Sequence, residues 1–120
     1  MNKRETGTRY EALAAEYLEE NDVRIIKRNY RDRRGEIDII GLHQGYLVFF
    51  EVKYRKNASS GSASEAVGPH KQRQICRTAD RFLFSNEIPL DSPVRFDVVA
   101  IDGSEITWIR NAFPYIERGR

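Results

Sequence analysis

Apolar residues recur at Tyr10, Leu13, Ala14, Tyr17 and Leu18, in steps of three and four that place them on one side of an amphipathic helix over about Thr8 to Asn21. Thr6 or Thr8 offers a hydroxyl to cap its start. Glu11 falls in register with Ala14, Ala15 and Leu18, so its carboxylate should lie along the edge of the buried stripe. The period then changes. Val23 to Tyr30 is rich in β-branched and aromatic residues and reads as a strand, closed by the polar turn Arg31-Asp32-Arg33-Arg34-Gly35. Glu36 to Ile40 is a second strand, ended by Gly41 and the Gln44-Gly45 turn. Tyr46 to Arg55 is a third, with the apolar run Leu47-Val48-Phe49-Phe50. Short connections make an antiparallel meander the economical pairing.

Beyond these strands, Asn57-Ala58-Ser59-Ser60-Gly61-Ser62 is small and polar, the signature of a surface connection. Pro69 suits the first turn of a helix running to about Ser85, with Ile75, Cys76, Ala79, Phe82 and Leu83 on one face. Val94 to Ile101 reads as a fourth strand, Asp102-Gly103 as a hairpin turn and Glu105 to Arg110 as the returning strand. A strand–helix–strand crossover should be right-handed and should make the third and fourth strands parallel. The expected fold is therefore α/β: a mixed sheet flanked by helices.

Composition narrows the class. A length of 120 residues suits one domain spanning 1–120, and 40% hydrophobic against 32% charged residues is a globular balance. No apolar run approaches the ~20 residues of a spanning helix, and Met1-Asn2-Lys3-Arg4-Glu5 lacks the apolar segment of a secretory signal, so a cytoplasmic address and no membrane partner are expected. Cys76, the single cysteine, reads as a reduced, packed thiol. The net charge of +2 demands no polyanionic partner, but its distribution is uneven. Arg24, Lys27, Arg28, Arg31, Arg33 and Arg34 cluster around one acid, Asp32, and Lys71, Arg73, Arg77 and Arg81 form a second basic stretch. Such stretches suit a phosphate backbone, and equally a solvated surface.

Side chains on a strand alternate faces, so Glu51 and Lys53 point the same way. A hairpin through His43 to Gly45 can bring Asp38 beside Glu51. Two carboxylates and a backbone carbonyl such as that of Val52 are hard oxygen ligands suited to Mg²⁺, and a lysine can orient water and offset charge on a phosphoryl group. From the residues alone, an inter-strand ion pair between Asp38 and Lys53, with Glu51 facing solvent, fits equally well. Glu36 shares the strand face of Asp38 and serves either as an outlying acid or as a cross-strand partner of a basic residue. His43 and His70 border turns without a ligand-spaced partner, which argues against a zinc site. Trp108, Phe113 and Tyr115 read as packing residues.

Gly35-Glu36-Ile37-Asp38 followed by Phe50-Glu51-Val52-Lys53 resembles the metal-binding core of the PD-(D/E)XK, or restriction-endonuclease-like, superfamily. The whole chain from about Gly7 to Phe113 resembles the YraN family of small bacterial proteins. The segments that carry this likeness are Ala14-Ala15-Glu16-Tyr17-Leu18, Arg28-Asn29-Tyr30-Arg31, Val48 to Arg55, Glu65-Ala66-Val67 with Lys71, and Arg95-Phe96-Asp97-Val98-Val99. The resemblance implies an α-β-β-β-α-β core with a C-terminal hairpin strand, distantly similar to archaeal Holliday-junction resolvases. It also implies a metal-dependent endonuclease acting on DNA, branched or single-stranded forms included, with Mg²⁺ or Mn²⁺ as cofactor.

In the resolvases a glutamate four residues after a glycine in the first helix joins the site. Gly7 and Glu11 match that spacing, so the resemblance gives Asp38, Glu51, Lys53 and Glu11 as catalytic and Asp38, Glu51 and Val52 as metal ligands. Ile37 stands where the superfamily name has proline, a position that supplies no ligand. Phosphate contacts are expected from Arg28, Arg31, Arg34, Arg55 and Lys71. A homodimer facing two strands is compatible with this reading. The competing reading is a non-catalytic nucleic-acid-binding or partner-docking module on a nuclease fold.

Overall fold

The chain alternates between segments that need two cores and segments that need one, and the sheet resolves this by burying both of its faces. In the computed structural model, residues 3–55 and 67–115 are described. They form α1 (Lys3–Glu20), β1 (Arg24–Arg31), β2 (Glu36–His43), β3 (Tyr46–Arg55), α2 (Pro69–Ser85), β4 (Val94–Asp102) and β5 (Glu105–Ile109). The expected polar connection Asn57–Ser62, and Glu65-Ala66 of the family-like segments, lie outside the described residues.

The five strands lie in chain order in one sheet. The first three form the expected antiparallel meander, β3 and β4 run parallel, and β5 returns antiparallel. Gln44 and Gly45 both take positive φ, the two-residue turn whose twist matches a hairpin. The consecutive apolar residues of β3 divide between the two sides. Leu47 and Phe49 join Ile40, Phe96 and Val98 under Ile75, Cys76, Ala79, Phe82 and Leu83 of α2. Val48, Phe50 and Val52 join Ile39, Val99 and Ile101 under Ala14, Ala15 and Leu18 of α1. A strand buried on both faces loses the polar alternation of a one-sided sheet, which is why β3 reads as a continuous apolar run.

Two boundaries differ from expectation by more than one residue. Helix α1 begins at Lys3, so Thr6 and Thr8 lie within it and not at its start. Strand β2 does not end at Gly41 but continues to His43. A Cβ at Gly41 would stand 2.8 Å from Val23 Cγ1 and 3.0 Å from the Arg24 carbonyl oxygen, so here glycine admits a close neighbour and does not break the strand. That neighbour comes close where the β1–β2 register shifts between Ile25 and Lys27.

A second close approach fixes the entry to β2. Asp32 Oδ1 accepts the amides of Arg34 and Gly35 at 2.8 and 3.1 Å, and Gln74 of α2 donates to the Arg34 carbonyl at 2.5 Å. The turn thus lies directly on α2, and a Cβ at Gly35 would meet Gln74 Cγ and Thr78 Oγ1, both at 2.8 Å. Overpacking of this kind costs roughly 1–3 kcal/mol. Gly35→Ala is therefore expected to lower unfolding free energy by that amount in urea titrations, and an unchanged midpoint would show that the turn can lift off α2.

Candidate metal centre

The site forms where β2 and β3 part. Their ladder closes at His43↔Tyr46 and its last pair at the other end is Ile39↔Phe50. Past that pair the Val52 amide is satisfied by a side chain, donating to Asp38 Oδ2 at 2.8 Å. Strand alternation also breaks here. Ile39 packs under α1 and Ile37, two residues earlier, packs on the α2 side. The intervening Asp38 is left to project into the opening between the strands, where it is buried.

Three further acids meet it. Glu11 reaches in from α1 and Glu36 from the start of β2, and carboxylate oxygens of Glu11, Glu36 and Asp38 all lie within 4.8 Å of one another. Glu51 of β3 lies within side-chain reach of Asp38, so the two carboxyls are close enough to perturb each other's charge. Lys71 Nζ, in the first turn of α2, stands 3.6 Å from Glu51 Oε2. Lys53 follows Glu51 by two residues and so shares its side of β3.

Burial, then the nearby Glu51 charge, pushes Asp38 from its ordinary 3.8 to about 8. Burial, then the charges of Asp38 and Glu36, pushes Glu11 to about 7, with Arg28 and a hydrogen bond from Asn29 pulling the other way. Glu51 is raised as well, chiefly by burial, while Lys71 opposes the rise. The cause is common to all three: too much negative charge in too little water. Either protons or a cation must neutralise it. An all-oxygen donor set of crowded carboxylates is what a hard divalent ion such as Mg²⁺ or Mn²⁺ takes, so these residues fit one.

The folded chain holds the Asp38 proton more tightly than an unfolded chain does. Its contribution to stability is therefore complete below about pH 4 and lost as pH rises towards about 8. Asp38→Asn keeps an oxygen for the Val52 amide but carries no charge. Without metal, it is expected to melt on the order of 3–6 °C above wild type at pH 8.5 and level with it at pH 5. Equal melting temperatures at both pH values would contradict the crowding.

The structure sorts the other expected residues. Arg31 pairs with Glu36 at 2.9 Å, so the cross-strand pair and the acidic cluster both claim Glu36. Lys71 faces Glu51. Arg28 lies close enough to Glu11 to affect its charge. Arg55 is half-buried and donates to the Tyr54 carbonyl. Arg34 lines a separate cleft with Asp32, Arg33, Arg77 and Arg81. The sequence reading did not anticipate Asn29 beside Glu11; its positive φ, 54°, turns β1 there and is not visible in the residue pattern. His43 borders the Gln44-Gly45 turn as expected, and it is buried. Phe113 and Cys76 are buried as expected.

Fold and site together define a restriction-endonuclease-like architecture: an α-β-β-β-α-β order with an open mixed sheet, helices on both sides and a C-terminal strand pair, carrying an acidic cluster that could bind a metal. Residues 10–101 match the sequence family described as Uncharacterised protein family UPF0102. A UPF0102 protein of Lachnoclostridium phytofermentans is 50% identical over 113 residues, covering 94% of this chain and 96% of that protein. One from Aliivibrio fischeri strain MJ11 is 46% identical over 115 residues, 93% and 94% of the two chains. One from Saccharophagus degradans is 46% identical over 113 residues, 94% and 96%. The chain belongs to family UPF0102, which agrees with the YraN and PD-(D/E)XK resemblance. Among the described residues, no helix is long and apolar enough to cross a membrane.

Proposed function

We propose that the chain is a divalent-metal-dependent nuclease that hydrolyses phosphodiester bonds of DNA. The observation that carries this reading is the convergence of Glu11, Glu36, Asp38 and Glu51 where β2 leaves β3, with Lys53 on the Glu51 side of the strand. Asp38, Glu51 and the Val52 carbonyl are the metal-holding set, with Glu11 joining from α1. A bound Mg²⁺ or Mn²⁺ would supply Lewis acidity on the phosphoryl group and a water of lowered pKa.

The chain's own groups do the rest. The Asp38–Val52 bond fixes the carboxylate against β3. The Lys53 ammonium orients the attacking water and offsets charge on the phosphoryl oxygens. Lys71 restrains Glu51, and Arg28, close to Glu11, would offer its charge to a flanking phosphate. A panel of linear, flapped and four-way DNA is expected to be cut with Mn²⁺ and left intact with a chelator. Calorimetry showing no Mn²⁺ binding, alongside salt-sensitive DNA binding, would instead make the chain a non-catalytic DNA-binding module.

A further inference from the structure

We infer that the cleft between the β1–β2 turn and α2 seats a backbone phosphate of a nucleic-acid strand, a few nucleotides from the acidic cluster. The cleft is lined by Arg33, Arg34, Arg77 and Arg81 against one acid, Asp32, and encloses about 260 Å³. That is room for a phosphodiester group and a few waters, each of which takes ~30 Å³ in the liquid.

The charge of the cleft is not neutralised from within. Asp32 is committed to its own turn through the Arg34 and Gly35 amides, and its other oxygen stands 3.8 Å from Arg81 Nε. Arg77 Nε is buried, and among the described residues no acceptor reaches it. A buried charged donor without an acceptor is costly, and a water, an ion or an anionic group of a ligand is what completes one. The forked guanidinium makes a paired contact to phosphate that lysine does not.

Placement identifies the ligand. Lys71, which faces Glu51, lies on the same helix as Arg77 and Arg81 of the cleft. At 1.5 Å per residue, Arg77 and Arg81 stand ~9 and ~15 Å along α2 from Lys71. A strand in a duplex rises 3.4 Å per nucleotide, so the cleft lies roughly three to four nucleotides from the acids. The turn is pinned to α2 by the Gln74 bond and the Gly35 contact, so the arginines from both elements are held together before any ligand arrives. The direction of the strand and its spacing rest on the nuclease reading; the anion site does not.

The test is DNA binding by the full chain in chelator, followed by fluorescence anisotropy across a salt series. Arg33→Ala and Arg81→Ala remove exposed side chains and should leave the fold intact, while Arg77→Lys retains charge but loses the fork. Each alanine variant is expected to bind about tenfold more weakly at low salt, with the slope of log K against log salt reduced by about 0.9. Arg77→Lys should bind more weakly than wild type with the slope retained. Unchanged affinity and slope in both alanine variants, in a protein that still cuts DNA, would remove the cleft and leave the nuclease reading standing. A wild-type chain that neither binds nor cuts DNA would remove both. A polyglutamate peptide that binds the cleft as tightly as DNA at equal salt would overturn the nucleic-acid assignment.

Discussion

Asp38→Ala, Glu51→Ala and Lys53→Ala are each expected to lower Mn²⁺-dependent cleavage of the best DNA substrate by at least ~10²–10³-fold, the usual loss when one charged group at the reacting centre is removed. The three should fail for different reasons. Asp38→Ala also frees the Val52 amide, so Asp38→Asn is the sharper test: it can still accept that bond, and its loss of activity reports the missing charge. Glu51→Ala removes the partner of both Asp38 and Lys71 and should weaken Mn²⁺ binding in calorimetry. Lys53→Ala should bind Mn²⁺ as wild type does while losing turnover. Glu36→Gln is expected to cost only about tenfold, since Arg31 already neutralises much of its charge. Cleavage that persists in clean preparations of both Asp38→Ala and Lys53→Ala would take the assignment away from this cluster.

How much of that cluster could be read beforehand depended on the distance over which each contact forms. The Asp38–Glu51 meeting was legible because a two-residue hairpin with glycine at its second position fixes register over the short span from Ile39 to Phe50. The bounds of β3 and α2 were legible for the same local reasons: a continuous apolar run between turn residues, and proline at the first helical turn. Glu11 entered through family likeness, since helical spacing alone placed it only at the edge of a stripe. Contacts between distant segments left no local signal. The place of Lys71 at the start of α2 left the site and a phosphate equally open to it, and nothing in the spacing of Arg77 and Arg81 indicates that they face the Asp32 turn. Gly41 misled for a physical reason, because a glycine that ends a strand and one that admits a neighbouring chain are the same letter.

Asp97 belongs to that hidden class, and its removal should be the most damaging to stability. It is fully buried on β4 and accepts from four directions. Arg95 Nε and Nη2 donate at 2.9 and 2.8 Å, Trp108 Nε1 at 2.9 Å and the Asn111 amide at 2.9 Å. The same Arg95 Nη2 donates to His43 Nδ1 at 3.0 Å, which requires a neutral imidazole; burial and then the Arg95 charge hold the His43 pKa below its ordinary value. One carboxylate thereby ties the end of β2, strand β4 and the β5 hairpin into a unit. Asp97→Ala would strand a buried guanidinium and two further donors, a defect that costs roughly 3–5 kcal/mol. Asp97→Asn, which keeps acceptor capacity for Trp108 or Asn111 but not the charge, should recover part of that. Chemical denaturation of both variants with Mn²⁺ absent removes any contribution from metal bound at the acidic cluster, which matters because Asp97 pairs with Phe50 in the β3–β4 ladder, one residue from the register of Glu51. A loss below about 1 kcal/mol for Asp97→Ala would mean that water enters to solvate Arg95, and that the ion pair contributes little beyond orientation.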